Sequence, residues 1–596
     1  MMKENFTSAK NAKASRIISA IAAAALAAAA AGCASPFDSD NDNDTSYSTS
    51  IMAHDLDVGP LNTHVDQGVH EWTSPDDDPD DPPDSQAITP PVDSTRQSVA
   101  DEPNTNSANE AHLSLQEVIA DAMMHNLAIK VEAYNPGIDQ TQIIHAQAAF
   151  DPLFFGETQL QQTDMPQPYP TQIGIPTSPI GYNNQFTFNN EIGVQKELST
   201  GGTVYIQGSN DYLNITDTTS LPPDINPSNT TDLAIGISQP LLRGFGSQVN
   251  YAKTYIAQRD QRIAVTQFQS QVIKIVAQVE ESYLELALAG QEVQIQSDLL
   301  ADMQETLRRL QLRKGMDVDS VQISQVQASV YLANYNLVEA QRNERDESET
   351  LKSLLNDPVM PLGTGPLVIP TDTPSAVPLV FDLRQELATA LRENYAMEGD
   401  RLEIEKAGIN VNVAENGLLP KLDLVAATDS SGLAEDGSFG GAFNQMFTNP
   451  HIGYSVGLEL EIPIGNREAQ ADLLQAQLQQ RQALTTMMRD AQDISRQVIV
   501  ALFDMIADWQ QISVATQRQT ADEKVVHGLK VQEETGTPLT PTFLQLELNA
   551  AEDLADARQA VDEAIVHYNL DMVTLEQSKG TLLDFNHITI GPGPVQ

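Results

Sequence analysis

Residues 452–462 read IGYSVGLELEI. In an extended chain Ile452, Tyr454, Val456, Leu458, Leu460 and Ile462 point one way, and Gly453, Ser455, Gly457, Glu459 and Glu461 the other. Strict alternation over this length suits a tilted strand that crosses a membrane. Alone, it suits equally a soluble sheet with one wet face. Pro463 then stops the strand.

The pattern recurs upstream. Phe186, Phe188, Ile192, Val194 and Leu198 alternate with Thr187, Asn189, Glu191, Gly193, Gln195 and Glu197. The first half of the chain offers up to four strands: Phe154 to Gln162, Phe186 to Leu198, Thr203 to Leu213 and Leu233 to Gln239. The second half offers two, Leu422 to Val425 and Ile452 to Ile462. A turn at Ser199 to Gly202 joins two of the first set.

The two halves are copies of one unit. LQEVIADAMMHN (115–126) aligns with LRQELATALREN (383–394), at an offset of 383 − 115 = 268. Gln239-Pro240-Leu241 aligns with Ile462-Pro463-Ile464 at 463 − 240 = 223, and Gly315 with Gly536 at 536 − 315 = 221. The first copy is therefore longer by 268 − 223 = 45 residues between its opening helix and its proline. The Pro-rich segment 357–380 divides the copies and reads as a linker or belt, not a helix.

Long stretches lack Gly and Pro: Ser247 to Ala289, Met316 to Asp357, Asn466 to His527 and Thr542 to Lys579. They are rich in Ala, Gln, Leu, Glu and Arg, all good helix formers. Phe268, Val272, Ile275, Val279, Tyr283 and Leu286 recur at spacings of three and four, the narrow seam of helices that pack on similar helices. The helices alone would fit a filament-like coiled coil; the strands do not.

The chain has 596 residues, a formal net charge of −49, 41% hydrophobic residues and 5% aromatics. Nothing in it resembles the basic footprint of a nucleic-acid binder. Its single cysteine, Cys33, excludes an intrachain disulfide or a cysteine-built metal centre, and its ten histidines show no clustered ligand spacing. No GxSxG, P-loop or GxGxxG stands in a strand–turn–helix setting, so no catalytic residue, cofactor or metal is expected.

Lys3, Lys10, Lys13 and Arg16 precede an apolar stretch, Ile17 to Ala31, too short to cross a bilayer. Ala30, Ala31 and Gly32 then precede Cys33, an ending that resembles a bacterial lipoprotein signal, with Ala30 where such signals usually carry Leu. The resemblance implies that Cys33 becomes the lipidated N-terminus, and Ser35 resembles the pattern of lipoproteins sent to the outer membrane. An ordinary cleaved signal with an incidental cysteine is the competing reading. Asp, Pro, Ser, Thr and Asn dominate the residues up to 110, as in PDDDPDDPP (75–83), and describe a disordered acidic tether.

Helix, strands and helix, twice over, behind such a signal resemble the TolC-like outer membrane efflux protein family. The match is carried by LSLQEVIADAMMHN (113–126), FDLRQELATALREN (381–394), ISQPLLRG (237–244), LEIPIGN (460–466) and the glycines Gly315 and Gly536, and covers about 111–585. It implies a mixed, mainly α fold in which long helical hairpins form a trimeric α-barrel tunnel joined to a shared transmembrane β-barrel. The segments would be a signal peptide (1–33), the tether (34–110), a first repeat (111–356), the Pro-rich segment (357–380), a second repeat (381–585) and a tail (586–596).

The same resemblance implies an outer membrane channel of a tripartite efflux or type I secretion system. Its partners would be two further copies, a periplasmic adaptor (membrane fusion) protein, an inner-membrane transporter and outer membrane lipid. Family members carry two membrane strands per copy, so the extra hairpin here would either extend outside the cell or enlarge the barrel. The family layout puts the hairpin turns, and so the periplasmic tips, near Leu286–Val293 and Ile506–Ser513. Asp504 and Asp508 share a helix face there and are candidates for a gate or constriction, since threefold symmetry would make each a carboxylate ring. The plainer reading of the pair is a solvated helix face, and Trp509 reads as an adaptor contact or as packing. A lipid-tethered periplasmic coiled-coil adaptor or scaffold is the alternative function.

Overall fold

The computed structural model describes residues 110–168, 180–216, 226–315, 318–435, 437–448, 451–535 and 537–588. Cys33, the expected signal and tether, and Gly536 lie outside the described residues. The elements in chain order are β1 (Glu110–Leu113), α1 (Leu115–His125), α2 (Leu127–Gln147), β2 (Leu153–Pro168), β3 (Ile180–Glu197), β4 (Thr203–Ile215), β5 (Ser228–Pro240), α3 (Ala252–Leu312), α4 (Ser320–Leu355), β6 (Leu367–Pro370), α5 (Leu383–Glu393), α6 (Tyr395–Gly417), β7 (Lys421–Ala434), α7 (Phe439–Thr448), β8 (His451–Glu461), α8 (Arg467–Glu534) and α9 (Pro541–Lys579). They fall into two units. One holds the large sheet with the helical segments that lead into it; the other is almost wholly helical.

In the first unit six antiparallel strands form one sheet in the order β2-β3-β4-β5-β7-β8. All six expected strands are present, most of them longer than the alternation marked: β7 continues nine residues past Val425 (434 − 425). The register aligns the two-residue periods of every strand. One row across the sheet runs Tyr454, Thr428, Ile235, Ile206, Val194 and Phe154. A row on the opposite face runs Ser431, Asp232, Ser209, Glu191 and Glu157.

The 45 extra residues of the first copy are accounted for by the β3–β4 hairpin, inserted between β2 and β5. Its turn closes with Leu198 N–H donating to Gly202 O at 2.7 Å, and Gly201 takes φ +88°, a region open to glycine. Gly246 N–H then donates to Thr200 O at 3.1 Å, fastening the turn to the link between β5 and α3. The hairpin thus returns to the end of the sheet where the helices begin. On that side α3 and α6 are bridged by Arg259–Glu405 at 2.8 Å and Lys406–Asp260 at 2.9 Å.

In the second unit the predicted seam is the core: Val272, Ile275, Val279, Tyr283 and Leu286 of α3 are all buried. α3 has 61 residues and α8 has 68, about 90 and 100 Å of helix at the usual rise. Neither turns where the family layout suggested. Leu286–Val293 lies inside α3 and Ile506–Ser513 inside α8. The turns fall between Leu312 and Ser320 and between Glu534 and Pro541. A helix absorbs the single Gly290 for about 1 kcal/mol, less than its packed neighbours return. The real breaks combine a left-handed glycine (Gly315, φ +82°) or the prolines Pro538 and Pro541 with a capping side chain on the far side.

Those caps preserve the duplication. Asp319 caps α4, accepting from Val321 N–H and Gln322 N–H at 2.9 Å each, and Thr540 caps α9, accepting from Phe543 N–H at 3.2 Å. Their offset is 540 − 319 = 221, the offset of the paired glycines. At the other end of each repeat Asn126 and Asn394, 394 − 126 = 268 apart, interrupt the opening helix and cap the next. The hairpin ends share one apolar cluster, with Leu310, Val326, Leu544 and Leu548 buried in it. β1 pairs in parallel with β6 inside the Pro-rich segment, which contains no helix among its described residues.

Candidate functional site

The two-faced sheet is the first functional surface. Val456, Leu458 and Leu460 on β8, Ile192 on β3, and Phe154 and Leu160 on β2 are large, apolar and exposed, and the register puts all of them on one face. A water-soluble protein rarely leaves so much contiguous apolar surface open. The other face is hydrophilic near the helices: Lys421 Nζ lies 3.3 Å from Asp423 and 3.6 Å from Glu459, and Arg243 lies 3.5 Å from Glu461. The sheet ends at β2 and β8, each paired on one side only.

The second surface is the acidic pair named from the sequence. Asp504 is exposed on α8 and Asp508 half-buried. Both stand well short of the hairpin end: Asp508 is 534 − 508 = 26 residues before the last residue of α8, about 39 Å at the usual rise. The structure adds a third carboxylate, Asp571 on α9. Burial, then the neighbouring Asp508 and Asp504 charges, pushes its carboxyl up to about 7. Gln511 Nε2 donates to Asp508 at 2.9 Å. Nothing in the spacing of the sequence linked Asp571 to this pair, because the register between α8 and α9 is set by the turn between them.

Trp509 is half-buried beside the trio. Its ring packs on Tyr568, centroids 5.6 Å apart, and the Tyr568 hydroxyl donates to Val377 O at 2.9 Å, so Trp509 takes part in packing. α8 is also the one described helix long and apolar enough, by length and composition, to cross a membrane. Its buried apolar residues Val498, Leu502, Met505 and Ile512 recur at helix-seam spacing, the pattern of packing between helices.

Acidic groups crowd the helical interior elsewhere. Glu285, Glu292, Glu347, Asp562 and Glu563 line a cavity of about 170 Å³, and burial raises Glu285, Glu292 and Asp562. Glu280, buried on α3 with Asn586 Nδ2 as its donor, is pushed up to about 7 by burial. Asp121, His125 and Asp357 come close enough together to share a cation, a grouping that sequence spacing did not reveal. His125 Nδ1 lies 2.6 Å from Asp121 Oδ1, a hydrogen-bond contact near the end of α1.

A two-faced sheet joined to helices of this length, twice over, matches a known architecture. The family model for outer membrane efflux proteins matches residues 212–357 and 387–537. The chain belongs to the outer membrane efflux protein family. Solved structures with this fold include the outer-membrane channel OprN (14% identity, TM-score 0.55, covering 78% of this chain and 90% of that one). They also include the CmeC outer membrane channel of Campylobacter jejuni (13%, 0.54, 78% and 86%) and the MtrE outer membrane channel of Neisseria gonorrhoeae (14%, 0.53, 78% and 89%). No curated protein sequence matches the chain. This outer membrane efflux protein is a transport protein of the outer membrane, and the apolar face of its sheet is the surface suited to lipid.

Proposed function

We propose that three copies form one export duct, β8 of each subunit pairing with β2 of the next. The observation that carries this is the six-stranded sheet with one apolar face and two open edges. In a bilayer no water satisfies an edge strand, so only closure removes the cost. Three subunits of six strands make a barrel of eighteen, wider than the twelve implied by two strands per repeat, since barrel diameter grows with strand number. The fastened β3–β4 turn favours enlargement of the barrel over extension outside the cell.

The long helices line the rest of the duct, with the hairpin ends at the turns between Leu312 and Ser320 and between Glu534 and Pro541. Threefold symmetry makes Asp504, Asp508 and Asp571 a belt of carboxylates part-way along the tunnel, which raises the local concentration of cations. A lipid on Cys33 holds the N-terminus at the membrane, with the acidic segment as its tether. Substrate enters from an inner-membrane transporter through a periplasmic adaptor, in an efflux or type I secretion assembly, and the duct itself conducts passively.

Outer-membrane fractions run on SDS gels without and with boiling, followed by planar-bilayer recording, test this. A band at three subunit masses that boiling collapses, with stepwise conductance, is the expected result. A water-soluble elongated monomer would favour the tethered scaffold instead.

A further inference from the structure

The opening helix of the first repeat meets the far end of that repeat's last helix. Asn126 Nδ2 donates to Leu354 O at 2.6 Å, and Leu127 N–H donates to Asn356 Oδ1 at 3.1 Å. These bonds from adjacent residues fix the end of α1 against the end of α4. Asp121 and His125 stand four apart on α1, so they share a face, and Asp357 directly follows Asn356. One ligand atom from each of the three falls within 4.8 Å of the others. Val359 N–H donates to Asp357 Oδ1 at 2.8 Å, which orients that carboxylate before any ligand arrives.

The second repeat joins the same two ends differently. There Lys579, the last residue of α9, reaches Glu386 of α5 at 2.8 Å. Val118 holds the place of Glu386 in the first repeat (386 − 118 = 268), so that pair cannot form. Thr389 and Glu393 hold the places of Asp121 and His125 (389 − 121 = 393 − 125 = 268). The trio is therefore no requirement of the shared fold. It also lacks a lysine or arginine: among the described residues none forms an ion pair with Asp121 or Asp357. Asp121 Oδ2 is shut off from water and has no hydrogen-bond partner there. Two carboxylates this close, one of them 17% exposed, repel each other with less screening than water gives.

We propose that Asp121, His125 and Asp357 bind one divalent transition-metal ion of the zinc class, which clamps α1 to the end of α4. The ion takes the Asp121 oxygen that faces His125, not Oδ2. One imidazole with two carboxylates suits such an ion, whereas calcium prefers oxygen alone and more ligands. Zinc is well served by three protein ligands and a water. His125 Nδ1 and Asp121 Oδ1, 2.6 Å apart, need only separate to about 3 Å to hold an ion about 2 Å from each. His125 is 32% exposed, so the ion enters from solvent. A proton on His125 is the competing occupant. The clamp is independent of whether the sheet stands in lipid.

The full chain in detergent, stripped with a chelator, is titrated with zinc against a coloured competing chelator. Tight binding of about one ion per subunit is expected, with a melting temperature that rises with the logarithm of zinc concentration. His125→Gln and Asp357→Asn, the latter still able to accept from Val359 N–H, should each weaken binding at least about tenfold. Asp504→Ala/Asp508→Ala should not. Equal affinity in all variants overturns the site, because exposed carboxylates would then hold the ion. No tight binding by the unaltered chain overturns it too, leaving the proton on His125 as the occupant. Acylation of histidines by diethyl pyrocarbonate, mapped by mass spectrometry, needs no variant. Zinc should protect His125 and leave the exposed His527 reactive; unchanged acylation of His125 overturns the proposal.

Discussion

Gln322 of the first repeat donates to the carbonyl of Leu539 in the second, at 2.6 Å and out of reach of solvent. It stitches the two hairpin ends together beside the capping box of α4. Gln322→Leu would leave that carbonyl unpaired, at a cost of about 1–3 kcal/mol. Amide exchange should then quicken by about ten- to a hundredfold around 318–326 and 537–548, with exchange in the sheet unaffected. Unchanged exchange would mean that the bond does not hold the hairpins closed.

Asp571 is half-buried beside two like charges, and burial, then Asp508 and Asp504, pushes its carboxyl up to about 7. Folded-state affinity for the proton exceeds that of the unfolded chain, so this group favours the fold at acid pH and loses that contribution as pH rises through about 7. The same ionisation adds negative charge to the proposed belt. Cation selectivity in bilayer recordings should climb between about pH 6 and 8, and Asp571→Asn should flatten the rise. With Asp504 and Asp508 both replaced by Ala, selectivity should fall at every pH. Unaltered selectivity and conductance would remove the belt from the duct.

Glu280 obeys the same sign with less exposure to solvent. Its carboxyl is raised from 4.5 to about 7, so its destabilising effect is absent below about pH 4.5, grows through the interval and is complete above about 7. At a little under 1.4 kcal/mol per unit the contribution is about 3 kcal/mol. Glu280→Gln should therefore raise the melting temperature at pH 8 and leave it unchanged at pH 4.5. Equal shifts at both pH values would contradict a buried, protonated Glu280.

Removing residues 180–215 deletes β3 and β4 and leaves β2 to pair with β5, which run antiparallel as β2 and β3 do. The shortened chain should still assemble as a trimer, with a barrel of twelve strands and a smaller single-channel conductance. Conductance equal to that of the intact chain would show that the inserted hairpin is not part of the wall.

The sheet was legible because its signal is local. Tyr454, Val456 and Leu458 announce a face without reference to any other strand, and six such stretches with one consistent polarity can only build a two-sided layer. The duplication was legible for the same reason, down to Asn126 and Asn394, whose shared role as helix caps explains why both copies carry them. The helix ends follow the turn chemistry at Gly315 and at Pro538 and Pro541 and not the family layout, because a lone Gly290 does not break a well-packed helix. α7 is not legible in the sequence: ten residues with two adjacent glycines are a poor helix by propensity, and the close fit of Ala442 over Gly432 supports the segment as one. The closeness of Asp571 to Asp504 and Asp508 depends on which elements become neighbours, information that no single stretch of chain contains.

β2 and β8 also set how this molecule has to be made. Until a neighbour arrives, a newly exported subunit offers two full rows of idle peptide groups bordering a greasy plate. Any other strand it meets on the way is as good a match as the correct one. The proposed closure of three copies would make insertion and trimer formation one event, with the waiting chains kept apart until it happens.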